Sequence, residues 1–338
     1  MRTENLGKTG VIALIGILVM TTMSGVSLAG DVIKIGVAGA HSGDLASYGL
    51  PTVKAAELVV RDVNARGGVL GKKVELVVED DACKPEVAAN TATNPALTQS
   101  GDYPNFFRTI ASDDAQARLE VDFALNVLKV KDIAVLHDKG DYGKGLAEFA
   151  KGFLEKDSRA NLVLYEGITP GAVDYSAIVQ KIKRSKAQAV IYGGYHPEAS
   201  KIVAQMRKKN MKTIFISDDG VKDDTFIKVA GKYAEGVYAT GPRDVSKNPL
   251  AIAANEAHRK KFGEDPGAFY LNAYAAALAL LNAIEKAGST DYDAVAHALR
   301  TEFVDTPLGK IRFNEKGDAL GVGFSVYQVQ GGVYVEIR

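Results

Sequence analysis

Residues 33–49, IKIGVAGAHSGDLASYG, join a short β-branched run to a glycine-containing loop and then to a helix. The Val and Ile residues at positions 32–37 are typical of a strand that is buried in a parallel sheet. A helix predicted over residues 51–65 would direct the positive end of its dipole at the loop. Doubly wound α/β sheets bind ligands at the carboxyl ends of their strands. The stretch therefore predicts an α/β fold with a small-molecule site beside this loop, although an ordinary strand–loop–helix connection also fits these residues.

The composition is that of a globular protein. The 338 residues include 41 basic and 41 acidic side chains, and 46% of all residues are hydrophobic. A chain longer than about 250–300 residues usually forms more than one core. The balanced charge provides no electrostatic field that would recruit nucleic acid. We therefore expect two lobes and no nucleic-acid partner.

The first 29 residues have the pattern of a cleaved export signal. A weakly basic start is followed by an apolar stretch at residues 11–20 and by Ser27-Leu28-Ala29, a small-x-small cleavage site. The apolar stretch is short and is interrupted by polar residues, which disfavours an uncleaved membrane anchor. The pattern predicts an exported protein that is cleaved after Ala29.

Strands and helices alternate regularly after residue 110. The predicted strands are residues 133–136, 162–165, 189–192, 213–216 and 236–240. Such alternation indicates a parallel sheet with right-handed crossovers. The later predicted helices are residues 249–260, 268–287 and 292–299. Because these helices need a sheet to cover, we predict a first lobe of residues 30–109 plus 242–317 and a second lobe of residues 110–241 plus 318–338, with a hinge over a cleft.

Several motifs together resemble the leucine/isoleucine/valine-binding proteins. They are IKIGVAGAHSGDLASYG, DVNARGGVLGKKVELVVEDDAC, HDKGDYGKGLA, IYGGYHPE and LGKIRFNEKGD. The resemblance implies an α/β fold of two Rossmann-like lobes joined by hinge strands, the type I periplasmic-binding-protein fold. It also implies a monomeric periplasmic receptor, not an enzyme, that needs no cofactor or metal. Such a receptor passes branched-chain or related aliphatic amino acids to the membrane permease of an ABC importer.

The resemblance also implies a set of ligand-binding residues. A zwitterionic amino acid needs donors for its carboxylate, an acid for its ammonium and an apolar pocket for its side chain. The family's binding positions match Tyr48, Thr93, Tyr142, Tyr195 and Asp219, and the last of these would receive the ammonium. Packed aromatic rings and a turn carboxylate are the alternative explanations for the tyrosines and for the aspartate.

The chain departs from the family pattern between Asn90 and Thr91. Relatives have a strand, a serine/threonine loop, a helix and another strand at this point. The missing segment is on the order of 40 residues, a little more than one strand–helix–strand unit. We therefore expect the first lobe to lack this unit, next to the crevice where such sheets bind ligands. A truncated, binding-defective relative is thus an alternative to a working receptor.

An enzyme or a sensor on the same fold is a second alternative. The loop after the first strand lacks the G-x-G-x-x-G spacing of dinucleotide sites, and no G-x-S-x-G motif surrounds Ser42. The five histidines are scattered, and no two of them have metal-ligand spacing. These patterns favour a binding protein over an enzyme.

Cys83 is the only cysteine, and we expect it to be unpaired in the monomer. In the family its partner lies in the loop that is missing here, and an odd cysteine in an oxidising compartment can form intermolecular disulfides. Oxidation should therefore produce a dimer on a non-reducing gel, and Cys83→Ser should abolish that dimer. A persistent monomer whose thiol resists alkylation would instead show that the side chain is buried.

Overall fold

The computed structural model describes residues 32–81 and 93–338. The predicted export signal, Cys83 and the junction between Asn90 and Thr91 lie outside the described residues. Contacts do not separate residues 32–338 into smaller units, so the proposed lobe boundaries stay a prediction. Within the described ranges, no helix combines the length and the apolar character that a membrane span requires.

The described residues form eleven strands and ten α-helices. The strands are β1 Ile33–Gly39, β2 Val74–Asp80, β3 Asp132–His137, β4 Asn161–Gly167, β5 Ala189–Gly193, β6 Ile214–Ser217, β7 Tyr238–Pro242, β8 Val304–Thr306, β9 Gly309–Ile311, β10 Phe324–Gln330 and β11 Val333–Glu336. The helices are α1 Ala46–Ala65, α2 Ala96–Gln99, α3 Asp113–Asp122, α4 Asp141–Lys156, α5 Ser176–Ser185, α6 His196–Lys208, α7 Asp224–Ala230, α8 Pro249–Phe262, α9 Tyr270–Ala287 and α10 Tyr292–Thr301.

A seven-stranded sheet in the order β11-β10-β7-β6-β5-β3-β4 forms the larger core. Strands β3 to β7 pair in parallel, as their alternation with helices predicted, and β10 and β11 add antiparallel pairs. Successive residues of a strand point to opposite faces. Ile133 and Val135 therefore pack with α3 and α4, whereas Ala134 and Leu136 pack with α5, α6 and α7. Both faces of this sheet are covered, which explains why its central strands are apolar throughout.

A smaller parallel sheet consists of β1 and β2, and here one expectation is wrong. Ile33 and Ile35 pack with α1, α9 and α10, but Lys34 and Gly36 are exposed. The strand is therefore buried on one face rather than on both. Among the described residues, β1 pairs only with β2, so its other edge has no strand beside it.

Helix α1 begins at Ala46 instead of at Pro51, so Pro51 lies inside the helix. Proline has no N–H with which to bond the carbonyl four residues earlier, and for this reason the sequence pattern favoured a later start. Tertiary packing overrides that preference. The first turn of α1 packs so closely against the chain after β1 that a Cβ at Gly49 would lie 2.0 Å from the Ala40 carbonyl oxygen. Only glycine permits this approach, which helps to bring Tyr48 into a buried position.

The two sheets should differ in their protection against hydrogen exchange. Strand β5 is fully buried and has partners on both edges, whereas β1 is half exposed and has one partner strand. Local opening costs less where fewer buried contacts must break. Native-state exchange followed by mass spectrometry should therefore show amides of residues 33–39 exchanging at least about tenfold faster than those of residues 189–193. Equal protection of both strands would contradict this expectation.

Candidate functional site

A cavity of about 300 Å³ lies where α1, α4 and α9 meet the loops that follow β5 and β6. Its walls are formed by Thr52, Thr93, Phe106, Phe107, Arg108, Thr109, Ile110, Tyr142, Tyr195, Asp219, Gly220, Phe269, Asn272 and Ala273. Mostly apolar walls with a few polar groups are typical of small-molecule sites, in which the polar groups orient the ligand.

The structure brings four of the five predicted binding residues to this cavity. Thr93, Tyr142, Tyr195 and Asp219 line its walls. Tyr48 is not in the wall but lies directly behind it, since its ring centroid is 5.6 Å from that of Tyr195. Because no ligand is present, the contact of each residue with an amino acid stays a prediction.

Two further tyrosine contacts close this side of the cavity. The hydroxyl of Tyr48 donates a hydrogen bond to the Gly220 carbonyl at 2.5 Å, and thereby ties α1 to the loop after β6. The ring of Tyr195 lies 5.4 Å from that of Tyr142, centroid to centroid. The three aromatic rings therefore form one continuous group beside Asp219.

The glycine-containing loop after β1 does not line the cavity, contrary to the expectation from residues 33–49. Its backbone is bound instead to the end of β2, because the His41 N–H donates to the Asp80 carboxylate at 2.9 Å. The Gly39 carbonyl accepts a hydrogen bond from the Asp81 N–H at 3.0 Å. The loop thus supports β2 rather than the cavity wall.

The polar end of the cavity is a hydrogen bond between Tyr142 and Asp219, in which the hydroxyl donates to the carboxylate. Tyr142 lies in the first turn of α4. This turn approaches the end of β5 so closely that a Cβ at Gly193 would lie 2.1 Å from the Gly143 carbonyl oxygen. Burial raises the pKa of Asp219, while hydrogen bonds from Tyr142 and Gln116 favour its ionised form.

Three more buried carboxyl groups, Asp113, Glu120 and Asp218, belong to the same region. Burial raises the pKa of Asp113 to about 7 and that of Glu120 to about 8, and the charge of Asp219 adds to both shifts. Burial also raises the pKa of Asp218, and the neighbouring charges of Glu120 and Asp219 add to this shift. The charge of Asp219 therefore disfavours ionisation of the other three acids, and a cation placed among them would relieve that repulsion.

Comparison with known proteins of similar sequence identifies the family of this chain. The chain matches the family model described as periplasmic binding protein over residues 32–94 and 91–333. It is 34% identical to the leucine-, isoleucine-, valine-, threonine- and alanine-binding protein of Pseudomonas aeruginosa, in an alignment that covers 89% of this chain and 91% of that protein. The chain belongs to the periplasmic binding protein family.

Other members of the family agree with this assignment. The Leu/Ile/Val-binding protein of Escherichia coli K12 is also 34% identical, with 93% of this chain and 95% of that protein aligned. The crystal structure of a leucine-binding protein from Thermotoga maritima superimposes with a TM-score of 0.81 at 25% identity, over 91% of this chain and 98% of that one. The expected α/β class and type I periplasmic-binding-protein fold are confirmed.

Sequence reasoning missed part of the polar region of this binding protein. Asp113, Gln116 and Glu120 are spaced by three and four residues on α3, so they share one face of the helix. All three are buried, and Gln116 donates to the Thr240 hydroxyl at 2.8 Å while that hydroxyl donates to Glu120 at 2.8 Å. The helical spacing of these polar residues was the signal that could have revealed them.

The raised pKa values of Asp113 and Glu120 predict that the unliganded protein loses stability as the pH rises. In the folded state these groups keep their protons up to about pH 7 and pH 8, whereas in the unfolded chain they lose them near their ordinary pKa values of 3.8 and 4.5. The folded state therefore binds more protons in this window, so the free energy of unfolding falls from about pH 4 to pH 8. Urea unfolding at pH 5 and pH 8 measures the effect.

Glu120→Gln removes one of these titrating groups but keeps an oxygen that can accept from Thr240. We expect this variant to be more stable than the unsubstituted protein at pH 8, by on the order of 1–3 kcal/mol, and to lose less stability between the two pH values. Glu315→Gln, at an exposed glutamate, serves as the matched control and should follow the unsubstituted protein. Parallel pH dependence in all three proteins would exclude Glu120 as the cause.

Proposed function

We propose that the protein is an exported receptor that captures branched-chain or related aliphatic amino acids for the membrane permease of an ABC importer. The observation that carries the proposal is the Tyr142–Asp219 hydrogen bond at the end of an otherwise largely apolar cavity of about 300 Å³. An ammonium group would fit the acidic end and an aliphatic side chain the apolar walls. The relatives' names, which include leucine, isoleucine and valine, support this class of ligand.

Binding of an ammonium would change the electrostatics of the buried acids. Asp219 is buried, and its pKa is raised because the surroundings disfavour its charged form. A ligand cation beside the carboxylate would favour ionisation, since an opposite charge at short range lowers the pKa of an acid. Ligand binding should therefore stabilise the carboxylate that receives it and hold Tyr142 in place as a hydrogen-bond donor.

The finer parts of the proposal follow the family relationship. The description of the family as periplasmic binding proteins supports export. We propose in addition that the chain is cleaved after Ala29, that the mature protein is a monomer and that it delivers its ligand to a permease. A solute-binding receptor presents its ligand unchanged, so we propose no catalytic step.

A truncated, binding-defective relative is the second candidate, and two observations favour it. The family model matches in two segments, 32–94 and 91–333, which meet near the junction between Asn90 and Thr91. The alignment with the P. aeruginosa protein spans 341 positions but includes only 89% of this chain. On the order of 40 of those positions, about one strand–helix–strand unit, therefore have no residue of this chain opposite them. Both facts support a missing unit in the first lobe. Such a loss would weaken carboxylate binding, because that unit carries the family's serine/threonine loop.

Calorimetric titration with leucine, isoleucine and valine tests the proposed function. If the receptor is functional, at least one of these amino acids should bind, and Asp219→Asn should weaken its binding by about tenfold to a hundredfold through loss of a charged hydrogen-bond partner. Tyr142→Phe removes the donor to Asp219 and should weaken binding less. Asp293→Asn, at an exposed aspartate on α10, is the matched control and should bind as the unsubstituted protein does.

The same titrations separate the two candidates. A folded protein that shows neither heat of binding nor a shift in melting temperature with any aliphatic amino acid would identify the binding-defective relative. Binding that is indifferent to Asp219→Asn would instead show that the ligand's ammonium lies elsewhere.

A further inference from the structure

A second cavity, of about 390 Å³, adjoins the first, and Asp219, Phe269 and Asn272 line both. The chemistry of its walls is different. The first cavity has an acidic end, and the basic residue of its wall, Arg108, is paired with Asp318 at 2.6 Å. The second cavity is lined by two other basic residues, Lys222 and Arg243. One ligand could therefore extend from an acidic wall to a basic wall by passing Phe269 and Asn272.

Lys222 is held in the second cavity by packing rather than by an ion pair. Its aliphatic stem lies against Gly241, where a Cβ would come within 2.2 Å of the lysine Cδ. Its Nζ lies 4.3 Å from the ring centroid of Tyr327 and 5.9 Å from that of Tyr334. In the described part of the chain, no carboxylate lies within ion-pair distance of this ammonium. The result is a positioned cation whose charge lacks a direct anionic partner.

Burial lowers the pKa of Lys222, and the surrounding carboxylates of Asp224, Asp219, Asp244 and Glu336 oppose that shift without removing it. The ammonium is therefore poorly solvated, and an anion in direct contact would favour its charged form. Arg243, on the same wall, likewise has no ion pair or side-chain hydrogen bond among residues 32–81 and 93–338.

The carboxylates of Asp244 and Glu336, which also line this cavity, already accept hydrogen bonds from other groups of the protein. The Asp244 carboxylate accepts hydrogen bonds from the N–H of Ser246 at 2.8 Å and from its hydroxyl at 2.9 Å. Glu336 accepts from the Asp244 N–H at 3.2 Å. Asp219, the third acid in this wall, accepts from the Tyr142 hydroxyl. The two cations without direct partners are therefore the groups of the second cavity that an incoming anion would contact.

The first cavity has few donors left for a carboxylate. The hydroxyls of Thr52 and Thr109 donate to the carbonyls of Gly49 and Asn272 at 2.7 and 3.0 Å. The Asn272 amide donates in turn to the Thr109 carbonyl at 2.8 Å. A ligand carboxylate would therefore meet stronger partners in the neighbouring cavity than beside its own ammonium.

We propose that Lys222 and Arg243 form an anion subsite that receives the carboxylate of a ligand whose ammonium is held at Asp219. The ligand class is a zwitterion whose two charges are separated by more atoms than in an α-amino acid, namely a dipeptide with an aliphatic N-terminal residue. Its first side chain occupies the apolar cavity, and its peptide group passes Asn272. The inference rests on the proposed function for the placement of the ammonium and extends it to a longer substrate.

Titration with leucyl-alanine, leucyl-alaninamide and leucine tests the subsite. The amide lacks only the terminal carboxylate, so leucyl-alanine should bind at least about tenfold more tightly than its amide. Lys222→Met should weaken leucyl-alanine binding by about tenfold to a hundredfold and should remove most of the difference between dipeptide and amide. Lys222→Arg should retain the preference for the dipeptide. Lys228→Met, at an exposed lysine on α7, is the matched control and should leave it unchanged.

The outcomes separate this inference from the proposed function. Binding of leucine without binding of leucyl-alanine, or equal binding of the dipeptide and its amide, would overturn the subsite and leave the receptor intact. Absence of binding by all three ligands would overturn both. If Lys222→Met does not fold, Arg243→Gln provides the second variant, and an unchanged dipeptide-to-amide ratio in that folded variant would exclude Arg243 from the subsite.

Discussion

The buried carboxylate of Asp219 is the constraint on which the site depends. It lies with Asp113, Glu120 and Asp218 in a buried region, and its charge makes ionisation of these three acids less favourable. An unpaired buried charge is costly, so such groups either keep their protons or acquire a cationic partner. A ligand ammonium would supply that partner, and the fold thus holds an arrangement whose full stabilisation requires binding.

The larger sheet provides the rigidity that this arrangement needs. Asp219 follows β6 and Tyr195 follows β5, and both strands are covered by helices on each face. The close approach of Gly143 to Gly193 fixes the first turn of α4, and with it the hydroxyl of Tyr142. The proposed binding groups therefore follow well-packed strands, at the carboxyl ends of a parallel sheet where α/β folds place their ligands.

The smaller sheet contributes less cover to the same cavity. Strand β1 has one partner strand among the described residues, and only one of its faces is packed. The wall on that side is completed by Thr52, Thr93 and the segment 106–110 rather than by the loop after β1. In the proposed receptor, Asp219 forms the acidic end of the site, and the carboxylate of the ligand is assigned to the neighbouring groups Lys222 and Arg243.

The sequence by itself determined the fold class and the parallel alternation of residues 132–242, because hydrophobic periodicity is a local signal. Its resemblance to a known family indicated four residues of the cavity wall. Tertiary structure decided the rest. Only folding brings α3 beside the loop after β6, which raises the pKa values of Asp113 and Glu120 through shared burial. Similarly, the early start of α1, the one-sided burial of β1 and the proximity of Arg243 to Asp219's cavity arise from contacts between segments that are distant in sequence, which no local pattern encodes.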